Sequence, residues 1–341
     1  MKRGQVYRTA IVVGLASLLT VTACTGGGGS GGPGPNGFSS LTVGDYGGAV
    51  NDIPDLVAQA EGFFQQEKVD VKFITISNGP SQTSAVASGS LDVESNTPDN
   101  VMLSIDKNLD IKPLVNYIRG IFYTVLVQKD WPTPNIKAPY PGGVVDLKGA
   151  RIGVTARGAS VELVTSQLLE QAGLDPSSVT FIAVGGPGPA LAAWQAKQID
   201  ALISYEPQTA RLYPSDAKLL VDPQKDDPRL SQWNAQLRAT TGDKLKNNPE
   251  AYAGYVRAFR HALDFIKDPA NEARVISTIG PKLGLTPEVA KTVLARVRPT
   301  IDPTLTCPGW QTVGEYLLRA KLISAPKDVQ ACEGLKGIPG N

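Results

Sequence analysis

Residue types that do nucleophilic or metal chemistry are scarce in this chain of 341 residues, which has one histidine, His261, and three cysteines, Cys24, Cys307 and Cys332. His261 sits in a segment where Tyr252, Tyr255, Val256, Phe259, Leu263 and Ile266 form one apolar helical face, so it reads as a surface or interface histidine. No histidine and cysteine cluster spaced for a metal is present, and no Gly-x-Ser-x-Gly elbow. Gly185-Gly186-Pro187-Gly188 looks like a phosphate cradle, but proline removes the N–H donors such a cradle uses. The chemistry on offer is binding. Polar residues collect where apolar runs end: Asp45, Tyr46, Ser77, Asn78, Gly79, Asn96, Thr97 and Asp99 early in the chain, then Tyr117 and Arg119. Later come Thr155, Arg157, Ser160, Gly186, Tyr205 and Glu206. Arg157, just before a helix, suits an anionic oxygen or else points to solvent. Tyr46, Tyr117 and Tyr205 suit a flat or apolar group. Asp45 and Glu206 suit an amine or pyrimidine amino group, or are helix caps. These readings compete, and no catalytic residue, metal or cofactor is expected.

The elements that must position these residues form a pattern. Over residues 149–207 an apolar strand, Ala150-Arg151-Ile152-Gly153-Val154, gives way to a loop of small residues and a helix with apolar positions at Val161, Val164, Leu168 and Leu169. A strand over 179–184, a helix ending near Lys197, and a strand Ala201-Leu202-Ile203 follow. Strand, helix, strand, helix, strand predicts an α/β fold with parallel strands and crossover helices. Ligands of such sheets bind beyond the carboxyl ends of the strands, where helix N-termini offer free N–H groups. The same order occurs earlier: strand 41–44, helix 54–66, strand 71–76, a helix to about Ser88, and Leu91-Asp92-Val93. Two such doubly wound lobes facing each other make a cleft. Residues 111–117 read as a further strand, and 121–127 as a continuous apolar strand that crosses between lobes. Residues 235–241 read as a strand returning to the first lobe. The expected boundaries are lobe one over 38–120, lobe two over 121–207, and a return to lobe one with C-terminal helices over 208–341. Residues 222–233 are polar and not placed.

At the N-terminus Lys2, Arg3 and Arg8 precede an apolar run over 10–21, too short for a comfortable membrane span, so residues 1–23 read as a secretory signal. Its end, Val21-Thr22-Ala23-Cys24, resembles the lipobox of bacterial lipoproteins, with Cys24 receiving the lipid; ordinary cleavage leaving a spare thiol is the alternative. Residues 24–37 are rich in Gly, Ser and Pro and read as a tether. The expected location is the cell envelope, on the outer face of the cell membrane or in a periplasm. In an exported chain Cys307 and Cys332 form an even pair, consistent with a disulfide or with two buried thiols. The formal charge of +1 becomes about −2 without the three N-terminal cations, which gives no reason to expect nucleic acid as a partner.

Several stretches in order resemble one family: Pro54-Asp55-Leu56-Val57-Ala58-Gln59-Ala60-Glu61-Gly62-Phe63-Phe64, then Ala87-Ser88-Gly89-Ser90-Leu91-Asp92-Val93, then Asp146-Leu147-Lys148-Gly149-Ala150-Arg151-Ile152-Gly153-Val154, and Tyr205-Glu206-Pro207. They are similar to solute-binding proteins of the nitrate/sulfonate/taurine and thiamine-pyrimidine type. The resemblance implies a type II periplasmic-binding-protein fold, two lobes joined by two crossover strands, with ligand contacts at the strand-end loops named above. It implies a monomer that captures a small solute, sulfonate, nitrate or taurine in the first place and a thiamine-pyrimidine heterocycle in the second, and delivers it to an ABC permease. The histidine and cysteine clusters of the family's pyrimidine-synthase branch are missing, which argues against an enzyme.

Overall fold

The computed structural model of the chain describes residues 37–227, 230–324 and Cys332. The expected signal, Cys24 and the tether up to residue 36 lie outside the described residues. Among those residues the strands are β1 Ser39–Asp45, β2 Val69–Thr75, β3 Glu94–Asn96, β4 Ile111–Arg119, β5 Thr124–Gln128, β6 Arg151–Val154, β7 Thr180–Ala183, β8 Ala201–Ser204, β9 Ala217–Val221 and β10 Asn234–Thr241.

Alternation in β1 buries Leu41 and Val43 and leaves Ser40 exposed, and β2 pairs parallel to it from Ser39–Val69 to Asp45–Thr75. A parallel bridge between Val43 and Val93 extends this pair to β3, and β10 lies antiparallel between β3 and β4. The order in lobe one is therefore β2-β1-β3-β10-β4. Lobe two has the order β7-β6-β8-β5-β9, with β5 the antiparallel member. Each sheet thus takes its antiparallel strand just after the chain crosses over. The crossings run side by side, since Gly120 N–H donates to Trp233 O at 2.7 Å and Ile121 N–H to Leu230 O at 3.1 Å.

Lobe one is backed by the helix Pro249–Lys267, which packs on Ile53–Ala60 and buries Tyr252, Tyr255, Phe259 and Leu263. Full burial of a side chain such as Phe259 stabilises by about 2–3 kcal/mol. The return strand is locked by Arg238, fully buried, whose guanidinium lies 5.1 Å from the Tyr117 ring and 5.2 Å from the Phe259 ring. It pairs with Asp55 and donates to Asn51 O at 3.0 Å and Gly44 O at 3.2 Å.

The structure differs from the sequence expectations in several places. The helix expected over 54–66 is two, Ile53–Ala60 and Phe63–Gln66, because Gly62 takes a left-handed φ of 74°. The crossing strand begins at Thr124, and Ile121 bonds instead to Leu230 of the other crossing. Lobe two runs beyond Pro207, because β9 pairs with β5. Of the unplaced stretch 222–233, the described residues contain the short helical turn Pro223–Asp226, and Leu230 and Trp233 lie in the second crossing. Cys307, at the start of the helix Cys307–Arg319, is bonded to Cys332, with Cα atoms 5.6 Å apart.

Candidate functional site

The lobes meet around a central cavity with about 20 Å³ of free space. Pockets that hold small ligands measure roughly 300–1,000 Å³, so any solute larger than a water or two enters only when the lobes part.

Strand ends supply the walls, as the parallel topology dictates. Tyr46 follows β1, Thr97 follows β3, Thr155 follows β6 and Tyr205 follows β8. Gly79 opens the helix Gly79–Ala87 and Ser160 opens Ser160–Gln171, while Thr97 is the N-cap of Pro98–Asp106, so helix N-termini of both lobes point at one space. Space for Gly79 is tight: a Cβ there would stand 2.3 Å from Asn96 Oδ1.

Rings form most of the apolar wall. Tyr46, Phe122, Tyr123 and Tyr205 line the cavity, with ring centroids 4.4 Å apart for Phe122 and Tyr123 and 6.2 Å for Tyr123 and Tyr205. Burial pushes the phenols of Tyr46, Tyr123 and Tyr205 up, so all three stay neutral. Asn51, Asn100 and Gln236 add carboxamides. Among the described residues lining the cavity there is no lysine or arginine.

Two buried oxygens near this space lack hydrogen-bond partners: Gln236 Oε1 and Asp99 Oδ2. Asp99 is 2% exposed, and its other oxygen accepts from Ser160 Oγ at 3.0 Å, a bond between lobes. Burial raises its pKa, partly offset by hydrogen bonds from Thr97 and Ser160. Behind the cavity Glu94 accepts from Thr83 Oγ1 at 2.7 Å and Asn96 Nδ2 at 2.8 Å, and burial pushes it up to about 7. Asp52 accepts from the N–H groups of Tyr46, Gly48 and Ala49, which shapes the loop carrying Tyr46; burial lifts it to about 6.

Of the residues expected from sequence, the structure brings Tyr46, Gly79, Thr97, Thr155, Ser160 and Tyr205 to the cavity, with Asp99 against Ser160. Asn96 is buried in the Glu94 network, and Tyr117 lies beneath, its hydroxyl 2.8 Å from Ser95 Oγ. Asn78 caps its helix by accepting from Ser81 N–H at 2.9 Å. Ser77 and Gly186 face each other across the seam, where a Cβ on Gly186 would stand 2.8 Å from Ser77 Cβ. Four charged residues lie elsewhere. Asp45 faces a separate opening at the lobe edge and accepts from Gly47 N–H at 2.9 Å. Arg119 pairs with Asp302 at 2.7 Å. Arg157 is exposed and held by Glu162 at 2.9 Å. Glu206 lines a second cavity beside Arg296. Sequence reasoning missed Asn51, Asn100, Phe122, Tyr123 and Gln236. In β10 Asn234, Gln236 and Arg238 are all fully buried, and bulges in its pairing with β4 break the alternation that would mark them in sequence.

Known proteins agree with this architecture. A family described as "NMT1/THI5 like" matches residues 49–273. Among solved structures, a protein from Bordetella bronchiseptica RB50 is 25% identical with a TM-score of 0.72, covering 86% of this chain and 92% of its own. The alkanesulfonate-binding protein of Xanthomonas axonopodis pv. citri, bound to MOPS, is 20% identical at 0.68, covering 84% and 94%. The periplasmic nitrate-binding protein of Synechocystis PCC 6803 is 12% identical at 0.67, covering 86% and 85%. No curated protein matches the sequence. With more than half of its length matched, this chain belongs to the NMT1/THI5-like family and has the two-lobed fold of periplasmic solute-binding proteins.

Proposed function

We propose that the chain is the extracytoplasmic solute receptor of an ABC importer and that its solute carries a flat ring with N–H donors, of the aminopyrimidine class. The observation that carries the ring reading is the cavity wall: four aromatic rings, carboxamides, the unpartnered buried oxygen of Gln236, and no cation among the described lining residues. Rings stack on a flat solute, and buried acceptors require donors from it. Capture needs both lobes: the solute binds one, the lobes rotate about the paired crossings, and the closed form docks on the permease. In this reading the chain is a monomer, held to the membrane through a lipid on Cys24 and turning nothing over. The Cys307–Cys332 bond belongs with that oxidising location.

The sulfonate, nitrate or taurine class has its own support, the helix N-termini of both lobes that open on the cavity. Titration calorimetry with 4-aminopyrimidines, alkanesulfonates, nitrate and taurine separates the two. Binding of aminopyrimidines with no heat from the anions is expected; the opposite pattern overturns the ring reading and leaves the receptor reading standing.

A further inference from the structure

A second cavity, with about 450 Å³ of free space, lies beside the first, and the two share one wall, the ring of Phe122. We infer that it is a subsite for a basic, amine-bearing tail carried by the ring that the central cavity holds; this rests on the ring reading above.

Size and position come first. The central space of about 20 Å³ must widen even to take the ring and leaves no room for substituents on it, while 450 Å³ lies within the span of ordinary ligand pockets. The Phe122 ring is half-buried and lies 6.4 Å from that of Tyr205, so an aromatic wall runs from one cavity to the other. Val50, Val297 and Pro299 provide an apolar lining along which methylene groups can lie.

Charge decides the end group. Glu206 and Asp222 line this cavity and are 5% and 9% exposed. They share one guanidinium: Arg296 Nε is 2.8 Å from Glu206 Oε1, and Arg296 Nη2 is 3.9 Å from Asp222 Oδ2. Lys225 stands 3.3 Å from Asp222 but is 76% exposed, so water screens it. The lining charges balance formally, two carboxylates against Arg296 and Lys225, but the carboxylates are nearly buried while Lys225 lies in water, so the negative groups are the less screened. Glu206 Oε1 is buried and, although beside Arg296, receives no aligned hydrogen bond; Glu206 Oε2 accepts from Ala210 N–H at 3.1 Å. An ammonium supplies both the charge and the missing donor. The walls come from both lobes, with Val50 and the end of Pro287–Val297 on one side and Glu206 and Asp222 on the other. A tail there therefore makes its contacts only in the closed form and adds to closure.

The test uses the mature chain and calorimetry with 4-amino-5-methylpyrimidine, 4-amino-5-(4-aminobutyl)pyrimidine and 4-amino-5-pentylpyrimidine. The amine-tailed probe is expected to bind about tenfold or more tighter than the other two. Glu206→Gln and Asp222→Asn are expected to erase that gain while leaving the methyl probe within about twofold. Phe122→Trp, which enlarges the wall the two cavities share and leaves the carboxylates in place, is expected to remove the gain too. Equal affinity of the amine and pentyl tails, or a gain that survives both carboxylate variants, overturns the subsite while the ring reading stands. Should the methyl probe not bind, the ring reading fails; butylamine is then titrated alone, and the absence of a Glu206-dependent signal overturns the subsite as well.

Discussion

At the scale of residues, the site is built from buried neutral groups whose protonation follows from where they sit. Glu94 in the folded chain takes up its proton at about pH 7, against an ordinary 4.5. Between those values the folded state holds a proton that the unfolded state has released, so stability falls as pH rises through this window and levels off above it. Glu94→Gln removes the titration. From pH 4 to pH 8 the parent is expected to lose roughly 3 kcal/mol relative to this variant, read by urea unfolding at each pH; parallel pH profiles would sink the assignment. For binding, Gln236→Ala removes a buried acceptor and is expected to weaken the aminopyrimidine about tenfold with little change in melting temperature. The strand-end residues that face the cavity were legible in sequence, because parallel sheets present those positions. Gln236 was not, since it comes from a strand that enters lobe one antiparallel from the far end of the chain. Nor were Phe122 and Tyr123, which read as strand until their backbone is seen in the crossing. Sequence cannot tell that Arg157 meets Glu162 before it meets any solute.

At the scale of elements, the repeated strand and helix order was legible because each half buries apolar strands under amphipathic helices. The exchange of antiparallel strands was only partly so, because pairing partners far apart in sequence leave no local mark. The start of the helix Pro187–Gln195 is the most sensitive element. Gly186 has φ −76°, a conformation open to any residue, so the sole obstacle to a side chain is Ser77 across the seam at 2.8 Å. Gly186→Ala is therefore expected to leave melting unchanged, hold the lobes apart and weaken solute binding about tenfold or more. Ser77→Gly in the same chain is expected to restore it. Failure of the second change to rescue the first would show that contact across the seam is not the cause.

At the scale of the whole molecule, contacts beyond the cavity also draw the lobes together. Arg211, in the helix Gln208–Leu212, donates to Leu283 O at 2.7 Å and Gly284 O at 3.1 Å, and the Tyr316 hydroxyl donates to Leu163 O at 2.6 Å. Arg211→Ala is expected to enlarge the radius of gyration in X-ray scattering without solute, with saturating solute bringing it back. A radius unchanged by both would argue against lobe rotation.

The side-by-side crossings carry a consequence for how the chain comes to be folded. Every strand of the second sheet lies between residues 124 and 221, an uninterrupted length, whereas the first sheet lacks the strand that joins β3 to β4 until residues 234–241 exist. In a polypeptide emerging amino end first, the later lobe is thus the earlier one to be complete. Residues 39–119 must wait, with β3 and β4 unjoined, for a segment made after the second lobe is finished.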